Sequence, residues 1–213
     1  LAYERPIFYE KANYTQAEEA FNKIFKYFHL PDWASRELKI KKEFEDYMMH
    51  FVLHIINKHG LTVQFHTGIQ EGNGNILGNS NPVQLSNLFL TYNNIKFDLF
   101  HISYPYYGEA IALCKMFPNV YLDMCWAHII SPHSSMEFLS EFIDTVAVNK
   151  VSAFGGDYCM VDPVYGHQLM ARQNVSRVLA EKVSHGIFSV DRACRVAKMM
   201  FFDNPVEIFN LKG

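Results

Sequence analysis

Three short apolar stretches in this chain each run into a residue that can hold a metal ion or move a proton, and helix-forming sequence separates them. Leu61-Thr-Val-Gln-Phe-His-Thr-Gly68 carries His66 at its end, Phe97-Asp-Leu-Phe-His101 carries His101, and Val151-Ser-Ala-Phe-Gly-Gly-Asp157 carries Asp157. A fourth stretch, Asn119-Val-Tyr-Leu-Asp123, closes on Asp123. Apolar runs without polar alternation suit strands covered on both faces. Strands that alternate with helices imply parallel β/α units. In such folds ligands bind at the carboxyl ends of the strands, where these four residues lie.

The sequence between the strands has helical period. Thr15 with Glu18 reads as a capping box opening a helix of about fifteen residues. Its positions Ala17, Phe21, Ile24, Phe25 and Phe28 share one face, and Pro31 ends it. A second helix is expected over 35–58, with Gly60 as its C-cap. Further helices are expected over 82–92, 106–117, from Ser134 (boxed by Glu137) to Val148, 164–185 closing on Gly186, 189–202, and a short one from Asn204. Residues 1–60 thus carry two helices ahead of the first clear strand, and 61–213 carry four β/α units with terminal helices, as one domain or a partial barrel. The Gly- and Asn-rich loop 68–82 is long enough to suggest a functional loop. It is no dinucleotide fingerprint, because Gly78 comes one position late after Gly72-Asn-Gly74.

Composition narrows the function classes. Of the 213 residues 49% are hydrophobic and 19% charged, which supplies ample core. A net charge of -3 with no Lys/Arg stripe argues against nucleic acid. No apolar run approaches the ~18 residues that would span a bilayer. The four cysteines form no C-x-x-C pair and read as small hydrophobes in a reducing, cytoplasmic setting. Leu1-Ala-Tyr-Glu has no initiator Met and reads as the interior of a longer sequence.

Two histidines and a carboxylate suit one divalent ion, with zinc the expected metal. They converge only if their strands are neighbours. An ion held by three protein ligands and a water lowers that water's pKa toward ~7, and an aspartate beside it can act as ligand, general base or both. A single strand-end histidine is ordinarily a hydrogen-bonded structural residue. Its recurrence at matching strand ends is what puts the metal reading on an equal footing. His50 and His54 are four apart but lack the glutamate of H-E-x-x-H. His128 and His133 follow the Asp123 strand and read as surface residues. Tyr104, Asp123, Trp126 and His167 are the expected substrate contacts. A serine hydrolase is a poor fit, since no G-x-S-x-G elbow is present.

Taken in order, Gln64-Phe-His-Thr-Gly68, His101-Ile-Ser-Tyr-Pro105, Asn119-Val-Tyr-Leu-Asp123 and Gly155-Gly-Asp157 resemble the carboxyl-terminal half of an amidohydrolase superfamily enzyme. The branch they resemble is the amidohydrolase-related group of metal-dependent TIM-barrel hydrolases, near the uronate isomerases. The tail Ala197-Lys-Met-Met-Phe-Phe-Asp-Asn-Pro205 is similar to that group's ending, so the resemblance covers about residues 60–210. It implies that His66 and His101 are the histidines of the fifth and sixth barrel strands. It makes Asp157 the eighth-strand aspartate, metal ligand and proton acceptor. Asp123 falls on the seventh strand, which carries no fixed ligand in the family.

The family also places an H-x-H pair on its first strand, and this sequence has none. A full (β/α)8 barrel takes about 250 residues, whereas four strands are readable here. The expected function is therefore metal-dependent hydrolysis of an amide, ester or related bond in a small molecule, or uronate-isomerase-like chemistry. The rest of the site would come from a missing amino-terminal half or a second copy. The alternative is a non-catalytic half-barrel acting as a binding or assembly module.

Overall fold

Helical period governs the first sixty residues and apolar strand runs govern the rest, and the structure divides along that line. The computed structural model describes residues 2–27, 38–72 and 74–211. Residues 8–60 form one compact unit, and 1–7 with 61–213 form the other.

The smaller unit is a helix pair, α1 (Tyr14–Tyr27) and α2 (Leu38–His59). Asn13 opens α1, rather than the expected Thr15. Its Oδ1 accepts from the Gln16 amide at 2.9 Å, while the Gln16 side chain accepts from the Asn13 amide at 3.3 Å. That is the reciprocal geometry of a capping box, set two residues earlier than Thr15–Glu18. Ala17 and Ala20 are buried, but Phe25 is largely exposed, so the expected apolar face is only partly covered. The helices meet through Phe21 and Phe44, with ring centroids 5.4 Å apart. Gly60 ends α2 at φ +63, as a C-cap glycine does. The expected end of α1 at Pro31 and start of α2 near residue 35 lie outside the described residues.

The larger unit is built on a parallel sheet in chain order. Strands β1 (Val63–Phe65), β2 (Phe97–Leu99), β3 (Val120–Asp123) and β4 (Val151–Ser152) pair β1-β2-β3-β4, all parallel. Phe65, Leu99, Leu122 and Val151 stand in one register row, and all are buried. The connections are α3 (Ser86–Thr91), α4 (Tyr107–Met116) and, after β3, the short α5 (Ala127–Ile130) and α6 (Pro132–Thr145). α7 (Asp162–Ser184) and α8 (Val190–Lys198) follow β4. A π-helical turn, Met199–Asp203, then leads into α9 (Asn204–Ile208). Four sequential parallel β/α units are half of the (β/α)8 pattern. Among the described residues no helix is long and apolar enough to cross a membrane.

Several boundaries differ from the sequence expectation, three of them for a clear local reason. The helix assigned to Ser134 starts at Pro132, with Ser131 as the cap accepting from the Ser134 amide. Proline at the first helical position has no N–H to leave unpaired and favours that start. The His101 strand stops at Leu99, where residues 101–103 turn left-handed at φ 60, 49 and 55. The Asp157 strand stops at Ser152. Its outward-facing groups are taken by the chain's tail: Asn204 donates to the Val151 carbonyl at 2.8 Å, and the Ala153 amide donates to the Met200 carbonyl at 2.9 Å.

Candidate metal centre

His66 follows β1 directly and His101 lies two residues beyond β2, so pairing of β1 with β2 brings the two rings together. Their Nε2 atoms are 3.0 Å apart, with ring centroids at 4.5 Å and planes at 72°. A glycine permits the approach. A Cβ on Gly68 would stand 2.3 Å from the Tyr104 carbonyl, and Gly68 itself sits at φ +72. The Ile69 amide then donates to that carbonyl at 2.6 Å, holding the loop after β1 against the turn after β2.

The ring tautomers follow from their partners. His101 Nδ1 lies 2.9 Å from the Cys125 carbonyl, which can only accept, so Nδ1 carries the proton and Nε2 the lone pair. His66 Nε2–H donates to it. His66 Nδ1 is then buried with no hydrogen-bond partner among the described residues. Burial pushes both imidazoles below their ordinary pKa; His101 adds to the effect on His66, while Asp157 opposes it at both rings. Both rings are therefore held toward the neutral form, and His66 can offer Nε2 to an ion when its proton sits on the unpartnered Nδ1.

This donor set fits a divalent ion in part. Two nitrogens each about 2.0–2.1 Å from a shared ion lie roughly 2.9–3.4 Å apart, the spacing seen here. A ligating histidine ordinarily anchors its other ring nitrogen, which His101 does through Cys125. Asp157 lines the same cavity of about 390 Å³ but sits in the loop five residues past β4, exposed and at φ +48. Among the described residues no three His, Cys, Asp or Glu side chains stand close enough to hold an ion.

The four residues expected to contact substrate fall in different places. Trp126 lines the cavity with Tyr3, Gln70 and Tyr158. Tyr104 lies outside that lining, and its carbonyl is the latch already described. Asp123 also lies outside it, 4% exposed, where its Oδ1 accepts from the amides of Cys125 at 2.9 Å and His101 at 3.3 Å. His167 is buried behind the wall, its Nδ1 3.2 Å from the Tyr158 hydroxyl. His128, expected at the surface, is fully buried. Its Nε2 donates to the Ala153 carbonyl at 2.9 Å, and burial pushes its pKa down to about 4.

Sequence reasoning passed over Asp98, which stands fully buried in β2 and accepts from Gln64 at 3.0 Å. Burial raises its pKa, and burial together with Asp98 raises that of Asp123, so the two carboxyls titrate as a pair. The available signal was a lone carboxylate inside an apolar strand. Tyr3 and Gln70 were also missed. Both polar atoms of the Gln70 amide are buried and unpartnered among the described residues.

Comparison with known proteins places this geometry. A family model described as Amidohydrolase matches residues 34–189. That is earlier at both ends than the resemblance over 60–210. Protein fluG of Emericella nidulans is 26% identical over 176 residues, covering 80% of this chain and 20% of that protein. Among solved structures, a presumed metal-dependent hydrolase from Lactobacillus casei superposes with a TM-score of 0.77 at 20% identity, over 98% of this chain and 53% of that one. Uronate isomerase from Thermotoga maritima gives 0.77 at 16% identity, over 96% and 48%. Glucuronate isomerase from Caulobacter crescentus gives 0.74 at 19%, over 98% and 46%. The chain thus spans a fifth of the curated relative and about half of each of these structures. The family match, which takes in more than half of the chain, shows that the chain belongs to the amidohydrolase family.

Proposed function

We propose that this chain supplies the carboxyl-terminal part of the active site of a metal-dependent hydrolase acting on an amide, ester or related bond of a small molecule. The observation that carries the reading is the 3.0 Å contact between the Nε2 atoms of His66 and His101 at the ends of adjacent parallel strands, opening onto the cavity that Asp157 lines. His66, His101 and Asp157 would hold one divalent ion, with zinc the metal that an imidazole–carboxylate set suits. The ion, when bound, supplies Lewis acidity toward a carbonyl oxygen and lowers the pKa of a coordinated water.

The protein's own contributions are positional and acid–base. The Cys125 carbonyl fixes the His101 tautomer so that Nε2 presents its lone pair. The Asp157 carboxylate accepts a proton from the water that attacks the substrate and can return it to the leaving group. Trp126 and Tyr158, 5.9 Å apart by ring centroids, wall one side of the cavity, and the Gln70 amide offers both a donor and an acceptor to a substrate. Metal analysis of the purified protein tests the reading. About one divalent ion per chain is expected, lost in His101→Ala; no metal in either form would sink it.

One observation favours a second reading. No three ligating side chains close on one point among the described residues, as expected of a half-barrel that binds or assembles without catalysis. A monomeric, metal-loaded and active chain would exclude it.

A further inference from the structure

The loop after β3 touches both parts of the proposed centre. On one side the Cys125 carbonyl accepts from His101 Nδ1 at 2.9 Å. On the other, Trp126 donates its indole Nε1–H to the carbonyls of Gly156 at 2.9 Å and Asp157 at 3.1 Å. Gly155 makes that approach feasible. A Cβ there would meet the Cys125 Cβ at 2.8 Å and its Cα at 3.2 Å, so the loop carrying Asp157 lies against Cys125 because residue 155 has no side chain. Trp126 and Asp157 both occupy left-handed backbone, at φ +57 and +48. That conformation is uncommon for a bulky residue and persists where the surroundings over-determine it.

A partly buried indole N–H needs some acceptor, and a neighbouring turn often provides one. Here the two acceptors are the carbonyl of the residue that bears the proposed proton acceptor and the carbonyl before it. We infer that Trp126 is a positioning residue: its indole N–H fixes the Gly156–Asp157 backbone, and with it where the Asp157 carboxylate stands on the cavity that His66 and His101 also line. One dipeptide, Cys125-Trp126, therefore sets the separation between the histidine and carboxylate parts of the site. This role belongs to the polar edge of the ring and is separate from the wall that its face forms. The inference rests on the metal-hydrolase reading above.

Trp126→Phe keeps an aromatic wall and removes the N–H. Two measurements on the full chain read the effect: cobalt(II) titration followed by visible absorbance, and amide hydrogen exchange over residues 155–158. The expected result is a loss of about tenfold in cobalt affinity, the scale of removing an outer-shell partner, with faster exchange at 156–158 and an unchanged circular dichroism spectrum. In an Asp157→Asn background the same substitution should cost nothing further, because its effect passes through Asp157. General loosening of the fold would give a full additional loss there. Gly155→Ala, which pushes the loop off Cys125 and leaves the indole intact, should reproduce the tenfold loss and serves if Trp126→Phe does not fold. Unchanged cobalt affinity in a folded Trp126→Phe, or in Gly155→Ala where Trp126→Phe does not fold, or full additivity with Asp157→Asn, overturns the positioning role. His101→Ala separates the two levels. If it binds cobalt like the wild type, the metal reading fails and this inference with it. If His101→Ala loses cobalt while Trp126→Phe does not, only the positioning role falls.

Discussion

Two histidine pairs occupy the larger unit, and they differ in what their ring nitrogens face. His66 and His101 face each other at 4.5 Å, and His128 and His167 at 6.0 Å, by ring centroids. Burial lowers the pKa of all four rings. Neither burial nor a shifted pKa therefore tells the pairs apart. What their ring nitrogens face does. His167 Nε2, like His66 Nδ1, is buried with no partner among the described residues, and His167 lies outside the lining of the cavity beside Asp157. In His128 both nitrogens are committed, Nε2 to the Ala153 carbonyl and Nδ1 to the Asn174 side-chain amide at 3.3 Å. In His66 and His101 the Nε2 atoms are committed only to each other, and they open onto a cavity. Nitrogens engaged only with each other at a cavity can turn to a ligand, whereas a ring bonded through both nitrogens to a backbone carbonyl and an amide, as His128 is, holds the fold.

Substitutions can break this contrast, beginning with the most severe. On the proposed reading, Asp157→Asn should lower the hydrolytic rate by about 10²–10⁴-fold, the usual scale of a lost general base, with the circular dichroism spectrum retained. A rate within a few-fold of wild type would remove Asp157 from the chemistry. His101→Ala should weaken divalent metal binding by more than about 100-fold, exceeding the loss of an outer-shell partner, whereas His128→Gln should leave metal binding alone. Equal losses in the two variants, read by calorimetric titration, would erase the distinction between the pairs.

The third test uses pH. With a folded pKa of about 4 against an ordinary 6.5, His128 takes up its proton more readily in the unfolded chain. Its contribution is complete above about pH 6.5 and is lost as the pH falls toward 4, by about 3 kcal/mol at 1.36 kcal/mol per unit. Urea unfolding at pH 7 and pH 4 should show wild type losing that much more than His128→Gln; parallel losses would contradict it. The smallest effect is expected from Gly68→Ala, where the Cβ meets the Tyr104 carbonyl and φ is positive. A destabilisation of about 1–3 kcal/mol, with weakened rather than abolished metal binding, would mark the latch as support for the histidine pair. Unchanged stability would argue that the two loops part readily.

Much of the fold was legible because it is local. Apolar runs such as Val151-Ser-Ala and helical stripes between them carry their period in the sequence, and parallel β/α order follows from the alternation. The limits of the elements were less legible. Phe100-His-Ile-Ser103 has the composition of a strand, yet packing and the hydrogen bond from the His101 amide to Asp123 hold it in a left-handed turn. Asn13 and Thr15, or Ser131 and Ser134, are caps of similar strength a few residues apart, and only neighbours such as Gln16 and Pro132 decide between them. At the site, His66 and His101 were legible as strand-end residues. Asp98 was not, because its reason for being buried is Gln64 on one neighbouring strand and Asp123 on the other. His128 read as a loop residue, and its burial depends on Asn174, far along the chain in α7.

The tail that covers β4 has a consequence for association. A strand at the end of a sheet exposes a row of amides and carbonyls on which another chain can template itself, whether as an added peptide or as a growing aggregate. On β4 the outward carbonyl of Val151 is already bonded by Asn204, and the next outward amide, that of Ala153, is bonded by Met200. An irregular helical turn thus serves in place of a neighbouring strand. A visiting strand would have to displace the Met199–Asp203 turn and the start of α9 before it could form its first two bonds, which makes this border of the sheet a poor seed for fibrils.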